Sequence, residues 1–307
     1  MAILDFYKTY PDEESCKLKF KEVRDKEGVT CKKCGCQEHY WKKDKWSYEC
    51  KKCRFRTSLR SGTVMHSSKL PFQYWFIAMH LLTSTKKSFS AKEMQRQLGH
   101  KRYEPIWAMM HKIRSVMGLR DDNYQLTDAI ELDEGFFETV DRDRDKDEPN
   151  KRGRGSQKQT TVLVMVESKP NPDNKNKNRP DKIVKHLKMN VIENLRSETI
   201  NEEIERGVSK GTHVTTDDFR SYKKISDTIA HTAYKVNKAN VEKVLPWVHK
   251  AISNAKRLLL DVHHRIDDDF LQNYLNEFCY KFNRRYFGQQ TMERLLIAGA
   301  TKRWNEL

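Results

Sequence analysis

Three short segments carry the pattern that decides the fold: residues 129–137 (AIELDEGFF), 213–222 (HVTTDDFRSY) and 247–257 (WVHKAISNAKR). The first two have the pattern of apolar strands that run into an acid, which is Asp133 in the first and Asp217 in the second. The third segment has apolar residues at helical spacing. Two strand-end carboxylates and an oxygen ligand from a later helix suit Mg²⁺, and two such ions roughly 3.5–4 Å apart support phosphoryl transfer.

Four phrases follow one another along nearly the whole chain: ELDEGFFE, TTDDFRSY, HKAISNAKRLLL and YLNEFCYKFNRR. They resemble the blocks of zinc-ribbon insertion-sequence transposases of the ISXO-like group, which are related to the eukaryotic Merlin transposons. The resemblance implies an RNase H-like catalytic domain of the DDE type, in the subgroup with an Asp-Asp-Asn-Lys active site. It also implies Mg²⁺- or Mn²⁺-dependent cleavage and strand transfer at the terminal inverted repeats of a mobile element, by a homodimer.

The same resemblance assigns the catalytic residues. It places the two acids at Asp133 and Asp217, the third metal ligand at Asn254, and a phosphate-contacting lysine at Lys256. Asp218 is an alternative second acid, but the phrase T-D-x-x-x-x-Y favours Asp217. Because residues two apart on a helix do not share a face, we expect either Asn254 or Lys256 to be peripheral, unless the helix begins between them.

Other polar residues near these segments have alternative interpretations. Glu277 is a rival third acid, in a phrase with a helical pattern. The histidines His249, His263 and His264 surround the third segment, and we interpret them as DNA contacts or packing residues. Tyr222 follows Asp217 by five residues without a nearby activating base, so it is expected to pack or to contact phosphate.

The cysteines predict a metal site in the N-terminal part. Two Cys-x-x-Cys pairs are separated by fifteen residues, which is the spacing of a four-thiolate zinc ribbon. The predicted Zn²⁺ ligands are Cys31, Cys34, Cys50 and Cys53. Two nearby residues are alternative ligands: Cys36 and His39. Seven cysteines used in this way suit a reducing compartment, so we expect a cytoplasmic (nucleoid) protein, or a nuclear one in a eukaryotic host.

The charge of the chain points to nucleic acid as a partner. The net charge is +16, with a basic excess of 14 in residues 1–120 and of 2 in residues 121–307. Clustered Lys and Arg bind DNA by neutralising phosphates and releasing counterions. No run approaches the ~20 apolar residues that a membrane span requires, so no membrane partner is expected.

A helix-turn-helix is predicted after the ribbon. The pattern from Ser90 to Glu93 is that of a helix N-terminal capping box, Gly99 ends this helix, and Pro105 suits the start of another. Helix, short turn and helix in a basic region outline a DNA-binding motif. The predicted DNA contacts are Arg54, Arg56, Lys101, Arg102, Lys112 and Arg114, with Arg152 and Arg154 in a later charged excursion.

The sequence therefore predicts a multidomain α/β protein. A zinc ribbon with a helical lead spans residues 1–60, a helix-turn-helix-like domain spans 61–120, and an RNase H-like mixed β-sheet domain with flanking helices spans 121–307. In the last domain we expect strands at 128–138, 160–167, 182–188, 212–216 and 230–236, with a helix at 191–204. A catalytically inactive DNA-binding regulator and a general metal-dependent nuclease are the alternatives to a transposase.

Overall fold

The structure is a computed structural model that describes residues 2–140, 156, 158–172, 180–225, 229–235 and 244–302. It divides into two compact units. One comprises Met1–Arg120 together with Arg284–Leu307, and the other comprises Asp121–Asn283. In this division the ribbon and the following helices belong to one unit, and the C-terminal segment is grouped with them.

The N-terminal unit combines helices with a small three-stranded antiparallel sheet of order β1-β2-β3. Its strands are β1 (His39–Lys42), β2 (Ser47–Cys50) and β3 (Arg56–Ser58). Its helices are α1 (Ile3–Thr9), α2 (Glu13–Glu27), α3 (Phe72–Ser84), α4 (Ala91–Leu98) and α5 (Glu104–Asp121), with α9 (Gln290–Thr301) from the C-terminal segment. Helix α3 is apolar on most sides and contributes several fully buried residues.

The helix limits in this unit follow from local capping. The Ser90 hydroxyl accepts a 3.0 Å hydrogen bond from the Glu93 amide at the start of α4. Gly99 ends that helix with φ +63°, a left-handed conformation that glycine adopts without strain. The two helices of the predicted helix-turn-helix are thus present, with His100–Tyr103 between them.

Helix α9 belongs to the core of the N-terminal unit. Val64 donates a 2.9 Å backbone hydrogen bond to the carbonyl of Gly299. A Cβ added at Gly299 would lie 3.1 Å from the Val64 side chain and 3.3 Å from that of Met79, so the helix approaches these residues closely. The apolar side of α9 is buried through Met292, Leu295 and Leu296. This burial explains why the C-terminal segment is grouped with the N-terminal unit.

The second unit is built on a five-stranded mixed sheet of order β6-β5-β4-β7-β8. Strand β4 is antiparallel to β5 and parallel to β7, while β6 is antiparallel to β5 and β8 is parallel to β7. The strands are β4 (Ala129–Glu138), β5 (Gln159–Pro170), β6 (Lys182–Val191), β7 (His213–Asp217) and β8 (Ala230–Tyr234). The helices are α6 (Ser197–Gly207), α7 (Pro246–Val262) and α8 (Asp268–Asn283).

Two apolar clusters cover the opposite faces of this sheet. One contains Phe137 and packs against α7 and α8, and the other contains Leu132 and packs against α6. The predicted strands are confirmed, but the helix predicted at 191–204 begins later, at Ser197. Val191 pairs with Val162 of β5, so its backbone extends the sheet instead of starting the helix. No helix among the described residues is both long and apolar enough to span a membrane.

Candidate functional site

Two neighbouring parallel strands bring the predicted acids together. Ile130 pairs with Val214 and Glu131 pairs with Thr215. Asp133 and Asp217 each lie two residues beyond the last of these paired positions, in the same direction along neighbouring strands. Because alternate side chains share a face of a sheet, both acids point to the face that carries Glu131.

Each acid is oriented by the backbone around it. Asp133 Oδ1 accepts a 2.9 Å hydrogen bond from the amide of Glu134. Asp217 Oδ1 accepts a 3.1 Å bond from the amide of Phe219, which forms an Asx-type turn at the end of β7. Asp218, the alternative acid, is exposed beyond the end of the strand. The structure therefore favours Asp217 as the partner of Asp133.

Helix α7 is fixed to the same face by Glu131. The Glu131 carboxylate accepts hydrogen bonds of 2.7 and 3.0 Å from the amides of Trp247 and Val248, in the first turn of the helix. Amides at a helix start lack partners within the helix, so a carboxylate from the sheet satisfies them. Burial raises the pKa of Glu131, and these two bonds partly offset that rise. No motif in the sequence distinguishes Glu131 from other strand residues.

The next contact along the helix places a histidine at the first acid. Nε2 of His249 lies 3.1 Å from Oδ2 of Asp133, within hydrogen-bond distance. The side chain of His249 is 34% exposed and that of Asp133 is 15% exposed, so solvent reaches the pair. Sequence reasoning assigned His249 to DNA contact or packing and so missed this position.

Two further contacts continue the alignment of α7 with β4. A Cβ on Gly135 would lie 3.3 Å from Cγ2 of Ile252, so the absence of a side chain allows the helix to approach closely. One turn later, Nζ of Lys256 lies 5.6 Å from the centre of the Phe137 ring. Every second residue of β4 from Glu131 to Phe137 thus meets α7, and from His249 onwards the contacts on the helix are three and four residues apart. That combination of periods is the sequence signal for this interface.

The structure does not bring Asn254 to the acids. Asn254 is exposed. At 100° per residue it lies about 140° around α7 from His249 and about 160° from Lys256. Of the two residues that were not expected to share a face, Lys256 is therefore the one that faces β4. The rival acid Glu277 is buried in α8, where it forms a 3.4 Å ion pair with Lys281.

Behind the acids, on the opposite face, lies a buried polar pair. The Tyr222 hydroxyl donates a 2.8 Å hydrogen bond to Oε2 of Glu134. Burial raises the pKa of Tyr222, and the charge of Glu134 raises it further, with smaller contributions from Asp133 and Asp217. Since Tyr222 is fully buried, it packs and does not present a phosphate contact.

Past Lys256, a cavity of about 640 Å³ opens between the end of β4 and the end of α7. Its walls are apolar at Phe137 and Leu259 and cationic at Lys158, Lys256 and Arg265. His263 also lines it, with its ring 4.3 Å from that of Tyr274 in α8. A wall of this composition is suited to an anionic chain with flat apolar groups.

The four predicted cysteines form a compact cluster in the N-terminal unit. The Sγ atoms of Cys31 and Cys53 are 3.6 Å apart, and those of Cys34 and Cys50 are 3.5 Å apart. Four sulfurs bound to one Zn²⁺ at about 2.3 Å would be separated by about 3.8 Å, so the cluster fits such an ion. Among the described residues it is the only group of three or more His, Cys, Asp or Glu ligand atoms within 4.8 Å of one another. Neither alternative ligand, Cys36 or His39, is a member.

Basic residues surround an exposed aromatic ring on the ribbon. Tyr40 is 47% exposed. The cationic groups of Lys42, Lys51 and Arg54 lie 5.9, 5.6 and 5.7 Å from the centre of its ring. Arg56 is exposed and bonds to Glu49 at 3.1 Å. This combination of cations and an exposed ring is typical of nucleic-acid-binding surfaces.

The predicted contacts of the helix-turn-helix separate into two groups. Lys101 and Arg102 are exposed in the turn before α5, and Lys112 is half-buried with its Nζ donating to the carbonyl of His66. Arg114 is wrong as a DNA contact, because it is only 1% exposed and its guanidinium donates a 3.0 Å bond to the carbonyl of Phe89. Arg152 and Arg154 lie outside the described residues.

The comparison with protein families identifies the second unit. The profile of the ISXO2-like transposase domain matches residues 125–283, which is just over half of the chain and contains Asp133, Asp217 and α7. The chain therefore belongs to the ISXO2-like transposases and is a DNA transposase. This finding confirms the resemblance seen in the sequence. The Asp-Asp-Asn-Lys detail stays a prediction.

Solved structures of another transposase show a distant likeness. The Mos1 transposase paired-end complex with left transposon end is 13% identical, covers 78% of this chain and 82% of that chain, and has a TM-score of 0.32. A pre-cleavage Mos1 transpososome is 10% identical over 77% of this chain and 82% of that chain, with a TM-score of 0.28. At these values the family match alone carries the assignment. The comparison with curated proteins gives no match.

Proposed function

We propose that this transposase cleaves DNA at the terminal inverted repeats of a mobile element and transfers the strands, with Asp133 and Asp217 as ligands of Mg²⁺ or Mn²⁺. The observation that supports the proposal is the parallel pairing of β4 with β7, in which Asp133 and Asp217 each follow the paired residues Glu131 and Thr215 by two positions. Two adjacent carboxylates open to solvent fit a hard divalent cation. The strand order, with three antiparallel strands followed by two parallel ones, is also that of an RNase H-like domain.

The chemistry supplied by such ions, when bound, is activation of a water or a DNA 3′-hydroxyl and stabilisation of the leaving oxygen. The residues of this chain prepare the site. In Asp133 and in Asp217, one carboxylate oxygen accepts a hydrogen bond from a backbone amide, and this bond fixes the orientation of the side chain. Glu131 holds the start of α7 against β4, and Lys256 presents a positive charge beside Phe137 to a DNA phosphate.

The N-terminal unit is proposed to bind the DNA ends. With Arg284–Leu307, which holds five basic and two acidic residues, this unit has a basic excess of 17, whereas Asp121–Asn283 has a net charge of −1. The Tyr40 surface and the exposed turn residues Lys101 and Arg102 are the proposed contacts. The cysteine cluster is proposed to hold one Zn²⁺ that keeps the ribbon folded. A homodimer is proposed because two ends must be joined in one complex.

The test is cleavage and strand transfer by the full chain on DNA that carries the terminal repeats, with Mg²⁺ or Mn²⁺ supplied. Asp133→Asn and Asp217→Asn should each reduce cleavage by at least about a thousandfold, because each removes a charged ligand. Binding to the same DNA should stay within about twofold, since neither acid lies in the N-terminal unit. A chain that binds the ends tightly and cleaves none of them under any metal would be the inactive regulator instead.

A further inference from the structure

We propose that His249 is the third metal ligand of the active site, in the place that the sequence pattern gives to Asn254, and that its nitrogen makes the site favour Mn²⁺ over Mg²⁺. This inference rests on the proposed role of Asp133 and Asp217 as metal ligands. The observation behind it is the 3.1 Å distance from Nε2 of His249 to Oδ2 of Asp133.

The distance suits two ligands of one ion. Neighbouring ligands of a six-coordinate ion with bonds of about 2.1 Å are separated by about 3 Å. The oxygen of Asp133 that such an ion would bind is Oδ2, which is on the side of His249. Oδ1 of Asp133 already accepts a bond from the Glu134 amide, whereas Oδ2 faces the imidazole. The pair is partly exposed, so an ion can enter and leave.

The position of the imidazole is built into the fold. Glu131 binds the amides of Trp247 and Val248, immediately before His249. Gly135 allows Ile252 to lie close to the strand, three residues after His249. Contacts on both sides therefore set the rotation of α7 that directs His249 to Asp133. Asn254 has neither contact and lies about 140° away around the helix.

Asp217 completes the set from the neighbouring strand. The ligand atoms of Asp133, Asp217 and His249 do not all lie within 4.8 Å of one another, because among the described residues only the four cysteines form such a group. Asp133 is on β4, which pairs with the strand that carries Asp217, and its Oδ2 contacts His249 on the helix. This arrangement makes Asp133 the shared ligand of the site.

The nitrogen ligand has a consequence for metal choice. Mg²⁺ takes oxygen ligands almost exclusively, whereas first-row transition ions accept imidazole. Compared with a site of three carboxylates, one with His249 loses a negative charge and gains a nitrogen. The lost charge weakens the binding of both ions, whereas the nitrogen ligand weakens Mg²⁺ more than Mn²⁺, so the preference for Mn²⁺ should depend on this residue.

The test measures Mn²⁺ bound to the zinc-loaded full chain, without DNA. Pulsed electron paramagnetic resonance of bound Mn²⁺ should show coupling to an imidazole nitrogen in the wild type. His249→Ala should remove the coupling and weaken Mn²⁺ binding at least tenfold in calorimetry. His249→Glu should restore binding and raise Mg²⁺ affinity relative to Mn²⁺. The matched control is His213→Ala, an exposed histidine on β7 that contacts Thr232 and should change nothing.

Several outcomes would overturn the inference. One is nitrogen coupling and Mn²⁺ affinity unchanged in His249→Ala. Another is loss of affinity in Asn254→Ala with none in His249→Ala. A third is full affinity in His249→Gln together with loss in His249→Glu, because that result makes His249 only a hydrogen-bond donor that positions Asp133. If Asp133→Asn and Asp217→Asn also bind Mn²⁺ as the wild type does, the failure belongs to the proposed function and not to His249 alone.

Discussion

The hydroxyl of Tyr222 donates a 2.8 Å hydrogen bond to Glu134, the residue that follows Asp133 in the same strand. Tyr222 itself follows Asp217 by five residues, so the bond joins the segment after one acid to the strand of the other. Both partners are buried on the sheet face opposite the acids. The bond thus fixes the two acidic segments relative to each other from behind.

Tyr222→Phe should test this anchor. The change removes the hydroxyl and keeps the ring, so the buried Glu134 carboxylate loses a hydrogen-bond donor. We expect a loss of about 1–3 kcal/mol in the free energy of unfolding, measured by urea denaturation. The control is Tyr234→Phe, an exposed tyrosine in β8, which should change stability little. Equal stability of Tyr222→Phe and wild type would contradict the role of the bond.

Gly135→Ala should separate α7 from β4. The new Cβ would lie 3.0 Å from the Phe137 ring and 3.3 Å from Cγ2 of Ile252, closer than ordinary contacts. We expect destabilisation of about 1–3 kcal/mol and slower cleavage, because His249 and Lys256 move with the helix. Adding Ile252→Ala removes the Cγ atoms that clash, so the double variant should recover part of the cleavage rate. A double-mutant cycle without coupling would contradict close packing as the cause.

Glu167 predicts a pH dependence of stability. Burial alone would raise the pKa of Glu167, but bonds from His186, Lys185 and the amides of Thr127 and Asp128 lower it to about 2. A carboxyl group whose pKa is depressed on folding stabilises the protein above its unfolded value of 4.5, and this stability is lost as the pH falls towards 2.

Glu167→Gln should therefore lower the free energy of unfolding by about 2–3 kcal/mol at pH 7, measured by urea denaturation. The difference from the wild type should shrink as the pH falls from about 4.5 towards 2. Glu193→Gln, at an exposed position, should match the wild type throughout. A difference that does not vary with pH would show that shape and not charge accounts for the effect.

The cysteine cluster predicts about one Zn²⁺ per chain. Cys31→Ser should abolish the ion and unfold the ribbon, because so small a sheet has little apolar area of its own. DNA binding should weaken accordingly, measured by fluorescence anisotropy. Cys36→Ser is the matched control, since Cys36 lies near the cluster without belonging to it. Metal analysis that finds no zinc, with DNA binding unaffected by a chelator, would refute the ribbon.

Much of the catalytic unit could be predicted from sequence because its signals are local. Apolar strands that carry an acid predicted β4 and β7, although Asp133 lies in the middle of β4 and only Asp217 ends its strand. The rotation of α7 could not be predicted in the same way. It depends on Glu131 and Gly135, which lie more than a hundred residues earlier in the chain, and without them Asn254 and His249 are equally available ligands.

The place of α9 and the burial of Arg114 were not predictable for a similar reason. An amphipathic pattern shows that α9 buries one side, but it does not show which helices cover it. Arg114 carries a charge, yet the helical period places it on the same face as the buried Met110 and Met117. Its guanidinium donates a hydrogen bond to a backbone carbonyl. In both cases a long-range contact decides the outcome, and periodicity alone does not contain it.

Metal rescue of cysteine variants in DNA end cleavage measures whether Asp133 and Asp217 bind the metal ion. Asp133→Cys and Asp217→Cys replace a hard oxygen ligand by a softer sulfur, which binds Mg²⁺ poorly and Mn²⁺ better. We predict little cleavage with Mg²⁺ and partial recovery with Mn²⁺, whereas Asp133→Ala and Asp217→Ala stay inactive with both ions. Asp218→Cys, beyond the end of β7, should cleave with Mg²⁺ as the wild type does. Full activity of Asp133→Cys or Asp217→Cys with Mg²⁺ would contradict metal binding by these two acids.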